Sequence, residues 1–227
     1  MYQQLLSKGG VIMAIPVLII GKSGGGKSTS LRNCVDNEEW NLINVLNKPL
    51  PFKGKIPQVA TDDYAQVMKC LASSKAHSVV VDDAGYLITN YFMKNHSSKG
   101  QGNAIFTMYN TLADNFWNLV EFIKKLPEDK IVYIIMHEDT DDYGNVKPKT
   151  IGKLLDEKIC LEGMFTIVLR CILENGKHLF VTQADGGAVS KSPMGMFEDL
   201  QIDNDLLYVD NKIREYYGLE IKESEEK

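Results

Sequence analysis

Residues 21–28 have the types and the spacing of a phosphate-binding loop. They read Gly-Lys-Ser-Gly-Gly-Gly-Lys-Ser and fit the pattern G-x-x-x-x-G-K-S/T at every position. Glycines permit the tight turn that points backbone N–H groups at phosphate oxygens. A lysine at position 27 would reach the β- and γ-phosphates, and the Ser28 hydroxyl would bind Mg²⁺. The stretch therefore predicts a site for a nucleoside triphosphate such as ATP, with Mg²⁺ as cofactor.

The flanking residues fit the same interpretation. Residues 12–20 form an apolar run rich in β-branched side chains, which predicts a buried strand, and residues 28–32 open a helix. The alternative, a flexible Gly/Ser linker, gives no reason for a preceding buried strand or for a Lys-Ser ending. The predicted nucleotide-binding residues are Gly21, Lys22, Ser23, Gly24, Gly25, Gly26, Lys27, Ser28 and Thr29, of which Lys27 is also a predicted catalytic residue.

Two aspartates follow a run of valines in residues 78–83, which read Ser-Val-Val-Val-Asp-Asp. Three consecutive valines predict a strand buried on both faces of a parallel sheet, and carboxylates at its end are costly to bury without a function. This is the Walker B pattern. It predicts Asp82 as the carboxylate associated with Mg²⁺. Asp83 is either a catalytic group that polarises the attacking water or only a cap of the next helix.

His137 follows a second buried run, residues 131–136, and is itself followed by Glu138. Ligands of open α/β sheets bind at the carboxyl ends of the strands. A polar residue there can contact the γ-phosphate, so His137 is a predicted catalytic residue that senses hydrolysis. The alternative is a structural histidine.

Composition limits the classes of function. The chain has 227 residues, 44% of them hydrophobic, and a net charge of −5, so a nucleic-acid partner would need a local basic patch or an oligomeric groove. Four scattered cysteines without a C-x-x-C pair indicate reduced thiols of a cytoplasmic protein, not a disulfide or zinc site. The apolar run at 11–20 is too short to span a bilayer, so no membrane partner is expected.

The remaining pattern predicts helices, loops and one hairpin. Asn175-Gly176, between the β-rich segments 164–173 and 178–182, is a strong hairpin signal. The clearest helix has an apolar stripe at i, i+3, i+4 and i+7 spacing. Predicted helices are 62–73 (with Thr61 as N-cap), 84–95, 104–126, 154–159 and part of 204–217; a second strand is 40–46; predicted loops are 47–55, 96–103, 138–148 and 191–197.

Two lysine-containing segments leave alternatives open. The loop at 47–55 has three lysines and two prolines, so it is either a solvated connector or a loop near the nucleotide or a charged partner. Residues 147–153 also carry three lysines, which either bind DNA phosphates or form a solvated face.

In the order of these motifs the chain resembles the RecA-like ATPase core. More specifically it resembles phage-encoded ATP-binding proteins with AAA-type domains, whose relatives include the RecA-core proteins of phage single-strand-annealing recombination. The Lys-Pro-Leu-Pro-Phe segment at 48–52 and the Lys-Ser-Pro-Met-Gly-Met-Phe segment at 191–197 point to the phage group. The segments that carry the resemblance are 21–33, 47–52, 79–83, 137–138, 149–170 and 191–197.

The resemblance implies an α/β fold of the RecA-like P-loop NTPase type, with a mainly parallel central sheet flanked by helices and a C-terminal β-hairpin. It implies one domain over residues 1–217, followed by an acidic tail at 218–227. The implied function is Mg²⁺-dependent hydrolysis of ATP coupled to single-stranded DNA in phage recombination or replication, in the cytoplasm of a bacterial host. A homo-oligomer, as a ring or a filament, and a phage annealing or single-strand-binding protein are the implied partners.

RecA-like oligomers hold ATP between subunits, and a neighbouring subunit supplies a cation to the γ-phosphate. By position, Lys191 is the implied catalytic cation and Arg170 is the second choice. RecA itself has a catalytic glutamate soon after its second strand, where this chain reads Asn47-Lys48-Pro49, so the water-activating residue stays open. Alternative functions are a nucleotide-dependent switch with slow hydrolysis and a small-molecule kinase, which the lack of an arginine-rich lid disfavours.

Overall fold

A nine-stranded sheet is the centre of the computed structural model, which describes residues 13–99, 103–152, 154–184 and 186–219. The strand order is β3-β2-β4-β5-β1-β7-β8-β9, with β6 paired to β5. Pairing is parallel from β3 through β7 and antiparallel in β5–β6, β7–β8 and β8–β9. The strands are β1 Ile15–Gly21, β2 Trp40–Asn44, β3 Gln58–Ala60, β4 Ser78–Asp82, β5 Ile131–Thr140, β6 Val146–Pro148, β7 Ile167–Glu174, β8 Lys177–Val181 and β9 Gln201–Asp203.

Helices cover both faces of this sheet. Three of them, α1 to α3, pack on one face, and α4 packs on the other face together with a 3₁₀-helix at Ser28–Asn33. The predicted α/β class with a mostly parallel sheet is therefore confirmed. The helices are α1 Tyr64–Ser73, α2 Gly85–Lys99, α3 Asn103–Ile123 and α4 Leu206–Tyr217, with shorter turns at Leu154–Lys158 (π) and Glu162–Met164 (3₁₀).

Alternation along the strands explains why both faces need helices. All seven residues of β1 are buried. Leu18 and Ile20 pack towards α1–α3, whereas Val17 and Ile19 pack towards α4. Because successive side chains of a strand point to opposite faces, an apolar run of this kind is stable only in a sheet that is covered on both sides.

Several predicted boundaries are corrected by the structure. Helix α1 begins at Tyr64, and its N-cap is Asp63, whose carboxylate accepts a hydrogen bond from the Gln66 N–H at 2.9 Å. The predicted cap, Thr61, instead accepts a hydrogen bond from the Asp63 N–H at 3.2 Å. Asp63, and not Thr61, is the N-cap because it has the extended backbone that an N-cap needs and a carboxylate close to the first turn.

The predicted loops at 96–103 and 138–148 are partly wrong. Helix α2 continues to Lys99, and residues 100–102 lie outside the described part of the chain. The segment 138–148 is not a loop throughout, because β5 extends to Thr140 and pairs with β6. The reason is that β5 runs beyond the edge of the parallel sheet, where its backbone needs a new partner.

Other predictions are confirmed. The turn between β7 and β8 has positive φ at Asn175 (51°) and Gly176 (76°), as a type I′ hairpin requires. Helix α3 buries Met108, Leu112 and Phe116 along the predicted stripe. None of the helices that the structure describes is long and apolar enough to cross a membrane. Residues 1–12 and 220–227, including most of the predicted tail, lie outside the described residues.

A buried ion pair joins α4 to the centre of the sheet. The Asp210 carboxylate accepts hydrogen bonds from Arg214 Nε at 2.7 Å, Ser78 Oγ at 2.6 Å and Tyr133 Oη at 2.7 Å. Arg214 also donates to Ser78 Oγ at 2.8 Å and to the Asp129 carbonyl at 3.1 Å. Each charge is thus compensated inside the protein, which is the condition under which a buried pair is tolerated.

Replacing Arg214 with methionine would leave the Asp210 carboxylate buried without its cation. We expect the variant to lose about 3–5 kcal/mol of unfolding free energy, measured by urea denaturation. Lys212→Met on the same helix is the matched control, because Lys212 pairs with Glu215 on the surface and should contribute little. Similar losses in the two variants would show that the buried pair has no special role.

Candidate nucleotide-binding site

The phosphate-binding loop follows β1 at the carboxyl edge of the parallel strands, and it needs its glycines for two reasons. Gly24 and Gly26 have φ values of 76° and 103°, in the region that favours glycine. A Cβ on Gly26 would lie 2.9 Å from Nδ1 of His178, and a Cβ on Gly21 would lie 2.8 Å from the Cys171 carbonyl. The loop therefore packs closely against β7 and β8.

Lys27 lies inside this loop with only 6% of its surface exposed. Its Nζ donates hydrogen bonds to the carbonyls of Gly21 and Lys22, each at 2.9 Å, and lies 3.4 Å from Nδ1 of His137. Burial lowers the pKa of Lys27, although nearby acidic groups, including Asp83, partly oppose this effect. The ammonium is thus held at the loop, as contact with a phosphate requires.

Ser28 and Asp82 meet beside Lys27. The Ser28 hydroxyl donates to the Asp82 carboxylate, with distances of 2.8 and 3.1 Å to its two oxygens. Burial, and secondarily the charge of Asp83, raise the pKa of Asp82 to about 6. A hydroxyl and a carboxylate are hard oxygen ligands, so the pair fits Mg²⁺. The described residues contain no cluster of three His, Cys, Asp or Glu side chains for a metal, so the ion would also need phosphate oxygens and water.

Asp83 is buried, with its backbone in the left-handed region at φ 56°. One carboxylate oxygen lies 2.5 Å from Nζ of Lys48, and the other lies 3.6 Å from Nε2 of His137. Its contact with the start of α2 is made by the backbone, since the Asp83 carbonyl accepts a hydrogen bond from the Tyr86 N–H. The side chain thus lies at the cleft, in contact with two basic groups.

His137 lies between Lys27 and Asp83 and connects them. Its ring packs edge-on against Tyr86, with the ring centroids 6.1 Å apart. Burial lowers the pKa of His137, and the positive charge of Lys27 lowers it further. The imidazole is therefore neutral near pH 7, and it can donate to an oxygen from one nitrogen and accept at the other.

Glu138 and Arg170 form an ion pair that the sequence did not predict. Arg170 donates from Nε and a terminal nitrogen to the two Glu138 oxygens, each at 2.8 Å, and the Glu138 side chain is 1% exposed. The hydrogen bonds to Glu138 raise the pKa of Arg170. Arg170, the second choice for a cation acting on a neighbouring subunit, is thus engaged within its own chain.

Lys191 lies apart from these groups. Its backbone pairs with Val168 of β7 through hydrogen bonds of 2.8 and 2.9 Å. It is not among the described residues that line the cleft. A role of Lys191 at the nucleotide of a neighbouring subunit stays a prediction.

Most of the predicted site residues line one cleft of about 860 Å³. The loop after β2 forms one wall, so the interpretation of 47–55 as a mere solvated connector is not supported, and Lys149 of the second lysine segment lines the cleft too. Sequence analysis left open a position of this loop near the nucleotide, but it did not single out Lys48 among the three lysines of the loop. Predicted residues that line the cleft are Lys22, Ser23, Gly24, Gly26, Lys27, Ser28, Thr29, Asp82, Asp83 and His137; further lining residues include Lys48, Pro49, Leu50, Pro51, Tyr86, Thr89, Glu138, Thr150, Ile151 and His178.

Replacing Asp82 with asparagine tests the Mg²⁺ site. We expect the variant to bind ATP without Mg²⁺ much as the unmodified chain does, and to lose on the order of tenfold in the gain of affinity that Mg²⁺ brings. Asp83→Asn is the matched control, because Asp83 does not contact Ser28 and should keep most of the Mg²⁺ effect. Titrations of ATP with Mg²⁺ or with EDTA measure this, and an equal loss in both variants would contradict the assignment.

Comparison with known proteins agrees with this geometry. A model of the AAA domain family matches residues 13–194, which include the phosphate-binding loop, the acidic strand end and His137. Because the match covers most of the chain, the chain belongs to the AAA domain family. No curated protein matches the sequence.

Proposed function

We propose that this member of the AAA domain family binds ATP with Mg²⁺ and hydrolyses it. The observation that carries the proposal is the convergence of Lys27, Ser28, Asp82, Asp83 and His137, which come from β5 and from the ends of β1 and β4, in one cleft. Residues that are far apart in the sequence have no structural need to meet around a glycine loop. A triphosphate site gives each of them a partner.

We further propose that the core is RecA-like and forms one domain. The strand order supports this, since β5 lies between the P-loop strand β1 and the acidic strand β4 and brings His137 beside both. Elements from β1 to α4 contribute to the same sheet or its two covering layers, which supports a single domain over most of 1–217.

In the proposed reaction a water oxygen bonds to the γ-phosphorus while the bond to the bridging oxygen breaks, and ADP leaves with the electron pair. Lys27 holds the β- and γ-phosphates and stabilises the charge that develops on their oxygens. Mg²⁺, held by Ser28 and Asp82, would neutralise phosphate charge. Asp83 orients the water and accepts its proton. Glu138 is not assigned this role because both of its carboxylate oxygens accept hydrogen bonds from Arg170.

The wider function that we propose is ATP turnover coupled to single-stranded DNA in phage recombination or replication, by a homo-oligomer in the cytoplasm of a bacterial host. The sequence resemblance to the phage group supports it. A position of Lys191 outside its own cleft is compatible with action on a neighbouring subunit. A phage annealing or single-strand-binding protein is the proposed protein partner.

One observation favours a second function, a nucleotide-dependent switch with slow hydrolysis. Asp83 has a cation 2.5 Å from its carboxylate, and a paired carboxylate is a poorer base for water. In this function the bound nucleotide changes the conformation or the partner of the chain, and turnover is incidental. A small-molecule kinase has no comparable support.

ATP turnover with and without single-stranded DNA separates these functions. For the recombination ATPase we expect DNA to stimulate turnover, and Lys27→Ala to abolish turnover in both conditions because the phosphates lose their cation. Lys69→Ala is the control, because Lys69 is exposed on α1 and does not line the cleft. Turnover that DNA does not change would favour the switch. Absence of ATP binding would refute both functions.

Asp83→Asn tests the proposed base. We expect kcat to fall by roughly 10²-fold or more while the affinity for ATP does not fall, because Asp83 acts on water and not on the bound phosphates. Single-turnover hydrolysis and ATP titration measure the two quantities. Asp142→Asn, an exposed carboxylate in the β5–β6 connection, is the control. Unchanged kcat in Asp83→Asn would move the role of base to another group.

A further inference from the structure

The backbone of Lys48 is held in place by the side chain of Asn44. Asn44, the last residue of β2, is 5% exposed; its side-chain NH₂ donates to the Lys48 carbonyl at 2.8 Å, and its side-chain oxygen accepts from the Lys48 N–H at 3.1 Å. Asn44 also donates to the Gln58 side chain at 3.2 Å, which holds the amide in place. Two hydrogen bonds to one residue's backbone are more than a solvated connector needs.

The side chain of Lys48 has the properties of a movable cation. It is 56% exposed, and its ammonium lies 2.5 Å from Asp83 Oδ2 at the wall of the cleft. The pair is exposed only on the lysine side, since the Asp83 side chain is 6% exposed. Water screens the ammonium and many rotamers of the flexible stem compete with the pair, but removal of the cation leaves a buried carboxylate. Only an anion of higher charge within reach would therefore draw the ammonium from Asp83.

The other carboxylates at the cleft have different partners. Within the described part of the chain, three carboxylates line the cleft. Asp82 accepts a hydrogen bond from Ser28, and Glu138 accepts two partly buried hydrogen bonds from Arg170. Only Asp83 is held by a cation on a surface loop. A change in the partner of Lys48 would thus alter the carboxylate that is placed to act on water and leave the other two in place.

The terminal phosphate would lie close to this pair. Lys27, which contacts the β- and γ-phosphates in a P-loop, is 3.4 Å from His137 Nδ1, and His137 Nε2 is 3.6 Å from Asp83. One imidazole ring therefore lies between Lys27, the cation that contacts the phosphates, and Asp83, the carboxylate that Lys48 contacts. A γ-phosphate carries more negative charge than a single carboxylate, and it would compete for Lys48.

We propose that Lys48 recognises the terminal phosphate of a nucleoside triphosphate and, by moving to it, releases Asp83 to act on water. This inference rests on the proposed ATP site. A diphosphate lacks the third phosphate group, so Lys48 stays paired with Asp83 when ADP is bound. In hydrolysis Lys48 stabilises charge on the γ-phosphoryl oxygens, the water attacks phosphorus, the bridging P–O bond breaks towards ADP, and Asp83 takes the water's proton.

The test compares the affinities for a non-hydrolysable ATP analogue and for ADP, each with Mg²⁺. We expect the unmodified chain to prefer the triphosphate, and Lys48→Met to lose roughly tenfold or more of that preference, as removal of one charge-assisted hydrogen bond predicts. Affinity for ADP should not fall. Lys48→Arg, which keeps the charge, should keep the preference, and Lys53→Met, an exposed lysine of the same loop outside the cleft, is the matched control.

The outcomes distinguish the two proposals. A chain that binds neither nucleotide refutes the ATP site and this inference with it. A chain that binds both, with the same preference in Lys48→Met as in the unmodified protein, overturns only the role of Lys48. A purely structural pair would lower the affinities for both nucleotides together, so the ratio of the two affinities decides. If Lys48→Met does not fold, as judged by circular dichroism, Lys48→Gln is measured in its place.

Discussion

The position of β5 between β1 and β4 is the constraint on which the site depends. Parallel pairing on both sides aligns three carboxyl ends at one edge, with Gly21 beside His137 and Val81 beside Ile134. The phosphate loop, the two aspartates and the histidine therefore meet without any long connecting segment. A strand order that placed β4 directly beside β1 would leave His137 outside this group.

The electrostatics of the cleft follow from how its charges are paired. Glu138, whose side chain is 1% exposed, accepts two hydrogen bonds from Arg170, and breaking this pair is expensive because it would leave a buried charge without a partner. The charged partner of Asp83 is Lys48, whose side chain is 56% exposed. In our proposal the first pair is fixed and the second exchanges its cation, because the Arg170 side chain is 23% exposed whereas that of Lys48 is 56% exposed.

The two proposed functions, a hydrolase and a switch, make similar demands on this chain. Both need the triphosphate held by Lys27 and both need the chain to distinguish it from a diphosphate. In our proposal they differ in how readily Asp83 is freed from Lys48 once the triphosphate is bound. That equilibrium would depend on Lys48, an exposed lysine on a loop with two prolines.

Sequence alone determined the local features. The phosphate loop at 21–28, the strand ending in Asp82 and the Asn175-Gly176 turn each follow from rules that act over a few residues. The prediction of a loop at 138–148 was partly wrong because β5 extends beyond its parallel neighbours and pairs there with β6. The length of that extension depends on the whole sheet. Partners for Glu138 and Asp83 were decided only by tertiary structure, since ion pairs between distant residues require the strand order and register that place them together.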